Sequence, residues 1–136
     1  MRRNYLIEAA SKAAVRLGYA FDTGPQSLVP ARVRTMPSVW MLPPELISEE
    51  GRRECRTTYS VGFYFITSGR SRSGGDAESA IDRLERDAVG LYHALAEDAG
   101  IIRTFGLKCV PLGSPVSKDG WITVSVEMRV ELFHCR

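Results

Sequence analysis

The stretch from Trp121 to Phe133 alternates between apolar and polar side chains almost to the end of the chain. Successive side chains of a β-strand point to opposite faces, so this pattern predicts a long antiparallel strand with one apolar and one polar face. The predicted apolar face comprises Ile122, Val124, Val126, Met128, Val130 and Leu132. Such a strand can hold a small domain together, and it can also pair with or pack on a neighbouring subunit.

Bulk composition narrows the class of protein. With 136 residues, 44% of them hydrophobic and 25% charged, the chain has the composition of a soluble globular protein, and its length predicts a single domain over residues 1–136. The net charge of +2 is too small to indicate specific nucleic-acid binding. A membrane span needs about twenty consecutive apolar residues. The sequence has no such run, so we expect no membrane association.

Two helices are predicted from apolar residues at helical spacing. The first begins at the capping residue Asn4, and Gly18 lies where a glycine would end the helix. Its buried face comprises Leu6, Ala9, Ala10, Ala13 and Leu17. The second helix begins at Asp76 and ends at Gly100. Its apolar stripe comprises Ile81, Leu84, Ala88, Leu91 and Leu95.

Three further strands are predicted. Cys55–Thr67 carries apolar side chains on both faces, which indicates a central strand covered on both sides. Ile101–Leu112 would form a C-terminal hairpin with the last strand. Ser38–Leu42 is a short predicted strand with prolines on both sides. Proline occurs in sheets on edge strands or at the ends of strands, so this strand lies at a sheet edge or the prolines mark its ends. We predict a connection over Tyr19–Pro30 and one helical turn within Glu45–Glu54.

Together these elements predict an α+β domain. Two helices would pack on one face of an antiparallel four-stranded sheet, in the order α-β-β-α-β-β. The Gly- and Ser-rich segment 68–75 cannot pack in a core, so we predict a flexible arm there.

The sequence carries no recognisable catalytic or metal-binding motif. His93 and His134 lack the third, orienting group that a catalytic pair needs, and we predict structural or surface roles for both. Cys55, Cys109 and Cys135 do not have the spacing of a zinc or redox motif, and reduced thiols are the simplest account. We therefore expect no enzymatic activity, no metal and no cofactor.

Five residues are candidates for contact with a partner or a second subunit. Arg52, Arg53, Arg70 and Arg72 would form, with Arg56, a basic rim that docks a partner or lies near nucleic acid, or they belong to solvated loops balanced by Glu49, Glu50 and Glu54. Trp40, in its proline frame, either covers the core or anchors an interface, because Trp is enriched in interface centres.

Several segments in this order carry a family resemblance over nearly the whole chain. They are the Ala-rich opening helix, the proline-framed Pro37–Pro44, the aromatic strand Thr58–Phe65, the Gly-rich arm, the amphipathic helix and the hairpin ending in Val124–Leu132. With this order of elements, the chain resembles the tail terminator and tail completion proteins of long-tailed bacteriophages and prophages, including the lambda-type minor tail protein. The resemblance implies a structural protein that forms a ring, commonly a hexamer, and that caps the tail tube and offers a docking surface to the head connector.

The same resemblance implies partners and a location. The partners would be further copies of the chain, the tail tube protein and the head connector, and the protein would occur in the host bacterial cytoplasm during assembly and then in the virion. Two alternatives remain. One is another phage neck or head-tail joining protein, and the other is a small ligand-binding or enzymatic α+β domain that uses the sheet face near Tyr59, Phe63 and Trp121.

Overall fold

The computed structural model of the chain describes residues 2–50, 55–68, 74–112 and 120–133. Its helices are α1 (Arg2–Arg16), α2 (Val29–Arg32), which directly follows a 3-10 turn at Gln26–Leu28, and α3 (Gly74–Ala96). Its strands are β1 (Ala20–Thr23), β2 (Ser38–Met41), β3 (Glu45–Glu50), β4 (Arg56–Ser68), β5 (Ile101–Leu112) and β6 (Trp121–Phe133).

Within the described residues, six strands form one mixed sheet in the order β1-β2-β4-β6-β5, and β3 also pairs with β4. β4 and β6 are antiparallel over their full lengths, from Arg56 opposite Phe133 to Ser68 opposite Trp121. β3 pairs with the first part of β4 and β2 with its second part, so β3 and β2 follow one another along the same side of β4. β1 is parallel to β2 and forms the outermost row on that side.

The α+β character is confirmed, but the predicted antiparallel four-stranded sheet with two helices in the order α-β-β-α-β-β is wrong. The sheet is mixed, and the described residues form six strands and three α-helices. β1 lies within the predicted connection Tyr19–Pro30 and is too short to show alternation. Residues 24–37 supply the connection of about a dozen residues that a parallel pair needs.

The segment predicted to hold a helical turn, Glu45–Glu54, instead contains β3. All six residues of β3 are exposed. Because none of its side chains is buried, the strand shows no alternation of apolar and polar residues in the sequence. The strand forms because its backbone pairs with β4, with a bulge between Leu46 and Ser48.

The end of α1 is as predicted, and its start is not. The helix begins at Arg2 and not at Asn4. Gly18 has a φ of +91° directly after the helix. The backbone N–H of Gly18 donates to the carbonyl of Val15 at 3.0 Å, and the N–H of Tyr19 donates to Ala14 at 3.0 Å. These two bonds form a Schellman motif, which needs a residue with positive φ at the position of Gly18.

The main core lies between the sheet and the helices α1 and α3. The helices bury Leu6, Ala10, Ala14, Leu84, Ala88, Leu91 and Leu95. The sheet contributes Tyr59, Val61, Phe63, Phe65, Val124, Val126, Met128, Val130 and Leu132. The predicted apolar faces of β6, β4 and both helices are therefore confirmed in the main.

A second, smaller core covers part of the opposite sheet face. It comprises Val29, Val33, Trp40, Tyr64 and Ile66. Because β4 supplies both cores, the prediction that this strand is central and covered on both sides is confirmed. The helices are not all on one face, since Val29 of α2 lies in the second core.

The predicted arm at residues 68–75 is described only at its ends. Ser68 is the last residue of β4, and Gly74 and Gly75 are the first residues of α3. Residues 69–73 lie outside the described residues.

Candidate assembly surface

The contact residues proposed from the sequence separate into two groups. Arg52, Arg53, Arg70 and Arg72 lie outside the described residues. Trp40 lies in β2, and its side chain is fully buried in the second core. In the single chain, Trp40 is therefore a core residue.

Hydrogen bonding and close packing hold Trp40 in place. Its indole Nε1–H donates to the carbonyl of Gly24 at 2.9 Å, and the guanidinium of Arg32 lies 5.7 Å from the ring centroid. A Cβ at Gly24 would lie 3.1 Å from Cζ2 of the indole. Trp40 thereby links the turn after β1 to the second sheet face.

On the side of the sheet where β1 is the outermost strand, an acidic strand forms the edge along the first part of β4. β3 carries Glu45, Glu49 and Glu50 and no basic residue. Leu46 and Ile47 add apolar surface and are 54% and 43% exposed. Among the described residues, β4 is the only strand that pairs with β3, which leaves the outer backbone of β3 unpaired. We call β3 the acidic edge.

The charges of the acidic edge are only partly compensated. Arg2 of α1 forms an ion pair with Glu49 and donates to Oγ1 of Thr57 at 3.3 Å. Glu45 and Glu50 have no hydrogen-bond or ion-pair partner through their side chains in the part of the chain that the structure describes. Arg56 of β4, which has interactions of its own, lies directly opposite Glu50 in the strand register. Within the described residues, Glu45 and Glu50 are therefore the carboxylates of the acidic edge without a direct side-chain partner.

The other side of the sheet ends in a basic strand. β5 carries Arg103 and Lys108 and no acidic residue, and both basic side chains are exposed. Within the described ranges, β5 pairs with β6 alone. Lys108 lies opposite Glu127 in the strand register, but no ion pair joins the two side chains. We call β5 the basic edge.

The second basic residue of this edge is already engaged. Nε of Arg103 donates to Oε1 of Glu131 at 3.3 Å, and its guanidinium lies 4.4 Å from the ring centroid of Phe105. The Glu131 side chain is only 9% exposed, although it belongs to the predicted polar face of β6. Within the described residues, Lys108 is therefore the cation of the basic edge without a side-chain partner.

Strand directions relate the two edges. β3 is antiparallel to β4, β4 to β6, and β6 to β5. β3 and β5 consequently run in opposite directions at opposite sides of one sheet. β1 stands one row further out than β3, because β1 pairs with β2, and β2 shares its row with β3.

A pocket of about 490 Å³ lies between the end of β4 and α3. The hydroxyl of Tyr19 donates to Oδ2 of Asp87 at 2.5 Å inside it. Burial raises the pKa of Tyr19, Asp87 raises it further, and Arg83 acts in the opposite direction. Arg83 itself has no ion-pair partner among the described residues. The pocket thus offers one guanidinium beside a neutral tyrosine and a carboxylate.

Other chemistry-bearing residues are dispersed. His93 is exposed on α3, with its ring 5.5 Å from that of Tyr92, and His134 and Cys135 lie outside the described residues. Burial, with a contribution from Glu85, raises the pKa of the Cys109 thiol, which keeps it protonated. Within the described ranges, no three His, Cys, Asp or Glu side chains are close enough to hold a metal ion. No described helix has the length and apolar character of a bilayer span.

The sheet face considered for a ligand does not exist as one surface. Tyr59 and Phe63 point into the main core and are 2% and 0% exposed. Trp121 packs against the second core on the opposite face. The three residues therefore cannot line a common site.

Sequence reasoning missed the acidic edge. The glutamates of Glu45–Glu54 suggested a solvated helical turn. The sequence signal for a strand is Ile47, because β-branched residues favour extended backbone.

Searches against protein-family models and against curated proteins found no match to the chain.

Proposed function

We propose that the chain is a structural protein of a long-tailed bacteriophage or prophage, which assembles into a ring, caps the tail tube and helps to join the tail to the head. Its partners are further copies of itself, the tail tube protein and the head connector. It acts in the host bacterial cytoplasm during assembly and then in the virion, without catalysis or a cofactor.

One observation carries the proposal. Within the described residues, the sheet has the acidic edge on one side, beside the further strand β1, and the basic edge on the other, and the outer backbone of neither β3 nor β5 is paired. A contact between two unlike surfaces of the same chain repeats from copy to copy, and it closes into a ring when the rotation between copies allows. This is the type of assembly that a tube cap requires.

The resemblance to tail terminator proteins supports the same proposal. The Ala-rich α1, the proline-framed β2, the aromatic β4, the amphipathic α3 and the hairpin of β5 and β6 all form as elements in that order. The strands β1 and β3 and the helix α2 are additional elements between them, which the predicted order did not contain.

The test measures assembly and binding separately. Size-exclusion chromatography with light scattering over a concentration series, followed by negative-stain imaging, should show a closed ring of about six subunits. Pull-down with the tail tube protein encoded in the same genome should then recover the ring. Failure of that pull-down would contradict the proposed function, whereas a ring of another number that binds only the head connector would favour another neck protein.

The Arg70→Ser/Arg72→Ser variant tests the proposed basic rim in the same pull-down. We expect weaker recovery of the tail tube protein with unchanged thermal stability. Arg86→Ser on the exposed face of α3 is the matched control, and equal loss in the control would remove the specific role of Arg70 and Arg72.

One observation favours a second candidate, a small ligand-binding domain. The pocket beside Tyr19 brings the unpaired Arg83 and Asp87 together at a cavity of adequate size for a metabolite. Native mass spectrometry of the purified chain, compared with the Arg83→Ala variant, tests it. A bound small molecule that disappears in the variant would support this candidate.

A further inference from the structure

We infer that the acidic edge of one copy docks antiparallel against the basic edge of the next, with Glu50 facing Lys108 of the neighbour. This inference rests on the proposed ring and names the surfaces that form it. The partner is a second copy of this chain, because the two edges are complementary to each other and occur together in every copy.

The charges of the two edges agree with this contact. Glu45 and Glu50 on one edge and Lys108 on the other lack partners within the described chain. Val110 is 40% exposed on the basic edge and lies on the same sheet face as Lys108, whereas Leu46 of the acidic edge lies on the face that carries α1 and α3. The agreement between the two edges is therefore one of opposite charge.

The strand directions permit the contact. Copies related by rotation about an axis to which the strands are tilted by roughly 35–45°, as in closed sheets, keep their strand directions and turn the same sheet face outward. Since β3 and β5 run in opposite directions within one copy, the β3 of one copy lies antiparallel to the β5 of the next. The sheets then continue around the ring.

The outline of the sheet sets the register. β1 occupies the row beyond β3, at the level of residues 63–66 of β4. β5 spans the height of the sheet, so at equal height its C-terminal half would collide with the neighbour's β1. The β5 strand must therefore be displaced along the strand direction toward the neighbour's β3, which brings Lys108–Leu112 beside Glu45–Glu50 of that neighbour.

The displacement has the size that strand tilt produces. Within one copy, Lys108 is level with Gly62 of β4, and Glu50 is level with Arg56. To face Glu50 of the neighbour, Lys108 must therefore shift along the strands by about six residues, or ~20 Å at roughly 3.3 Å per residue. Four rows about 4.8 Å apart, tilted by roughly 35–45° as in closed sheets, give a stagger of ~13–19 Å. The two estimates agree to within about two residues.

Side-chain facing is consistent with this register. Glu50 lies opposite Arg56, and Lys108 lies opposite Glu127. Both positions belong to the sheet face that points away from α1 and α3, so opposed residues of the two copies share a face as an antiparallel pair requires. Pro111 removes one backbone donor from the contact, and its specificity therefore depends on side chains as well as on backbone pairing.

The test exchanges charges between the two edges. Glu50→Lys and Lys108→Glu each place like charges against each other, and each should weaken self-association by about tenfold or more, measured by light scattering over a concentration series. An equimolar mixture of the two variants should assemble again, because each reversed edge then meets its complement on the other variant. Glu8→Lys and Lys12→Glu, exposed on α1, are controls with the same charge changes and should assemble like the wild type.

Each outcome decides the inference. Assembly of either edge variant at wild-type strength, a mixture that stays dissociated, or a wild type that never self-associates would overturn it. A wild type that forms rings and binds the tail tube protein but ignores the edge charges would overturn this contact and leave the proposed function standing. Rescue in the mixture without tail tube binding would retain the contact and reject the proposed function.

Discussion

The hydroxyl of Tyr19 donates a hydrogen bond to Oδ2 of Asp87 at 2.5 Å, and this bond joins the turn between α1 and β1 to the middle of α3. Tyr19 is buried beneath this bond and stacks edge-on against Phe65, with ring centroids 5.4 Å apart. The contact thus connects the two long helices through the main core.

Replacing Tyr19 with Phe should destabilise the fold by roughly 1.5–3 kcal/mol near neutral pH, the range for a hydrogen bond to a charged group. Burial first, and Asp87 second, raise the pKa of Tyr19 above its ordinary value near 10, so the folded state holds the phenolic proton more tightly than the unfolded state. The stability from this group is complete below about pH 10 and is lost as the pH rises further toward the folded pKa. Urea unfolding should therefore show the gap between wild type and Tyr19→Phe narrowing above about pH 10. A gap that stays constant with pH would contradict this account.

Gly24 and Gly18 form a matched pair for a test of backbone strain. Both have positive φ, +152° and +91°. A Cβ at Gly24 would press on the Trp40 ring at 3.1 Å, whereas nothing lies within 4 Å of one at Gly18. Gly18→Ala should cost roughly 1 kcal/mol from conformation alone, and Gly24→Ala should cost about 1–3 kcal/mol more through overpacking. In a Trp121→Phe background, Trp40 fluorescence should shift only in Gly24→Ala, and equal stabilities of the two variants would contradict the packing argument.

Trp40→Ala should cost roughly 3–5 kcal/mol, because the side chain is fully buried. Trp40→Phe keeps much of the apolar volume and loses the bond to Gly24, so it should cost less and leave self-association unchanged. Denaturant unfolding and light scattering on the same samples separate the two roles considered for this residue. A Trp40→Phe variant that folds stably but fails to assemble would make Trp40 an interface anchor after all.

Long periodic elements were predictable from sequence because their burial repeats. The alternation in β6 and the apolar stripe of α3 each place many side chains in one core. Each repeat of the pattern therefore supports the same prediction. The two strands that were missed lack this redundancy. β1 has four residues, and β3 buries none of its side chains, so each depends on pairing with a strand distant in sequence.

The candidate edges were beyond sequence reasoning for the same reason. The acidic residues of β3 and the basic residues of β5 could be counted, but their meaning depends on which strands end the sheet. Only the topology places β3 and β5 at opposite sides and running in opposite directions. The sequence candidate Trp40 was recognised as special because of its proline frame, and its burial shows that prolines flanking a short strand need not place it at an edge.

Arg103 and Glu131 should be energetically coupled, although the arginine is 60% exposed. Because the Glu131 side chain is only 9% exposed, Arg103→Met leaves a carboxylate in a poorly solvated position and should destabilise the fold by roughly 1–3 kcal/mol. In a Glu131→Gln background, the same substitution should cost about 1 kcal/mol less, since no charge is left behind.

The exposed pair Asp82 and Arg86 on α3 is the control for this cycle. Its side chains are 67% and 76% exposed, so solvent screens both charges and the coupling should stay below about 0.5 kcal/mol. Denaturant unfolding of the four chains in each cycle, at low and high salt, gives the two coupling energies directly. Equal couplings would mean that the burial of Glu131 does not strengthen its ion pair with Arg103.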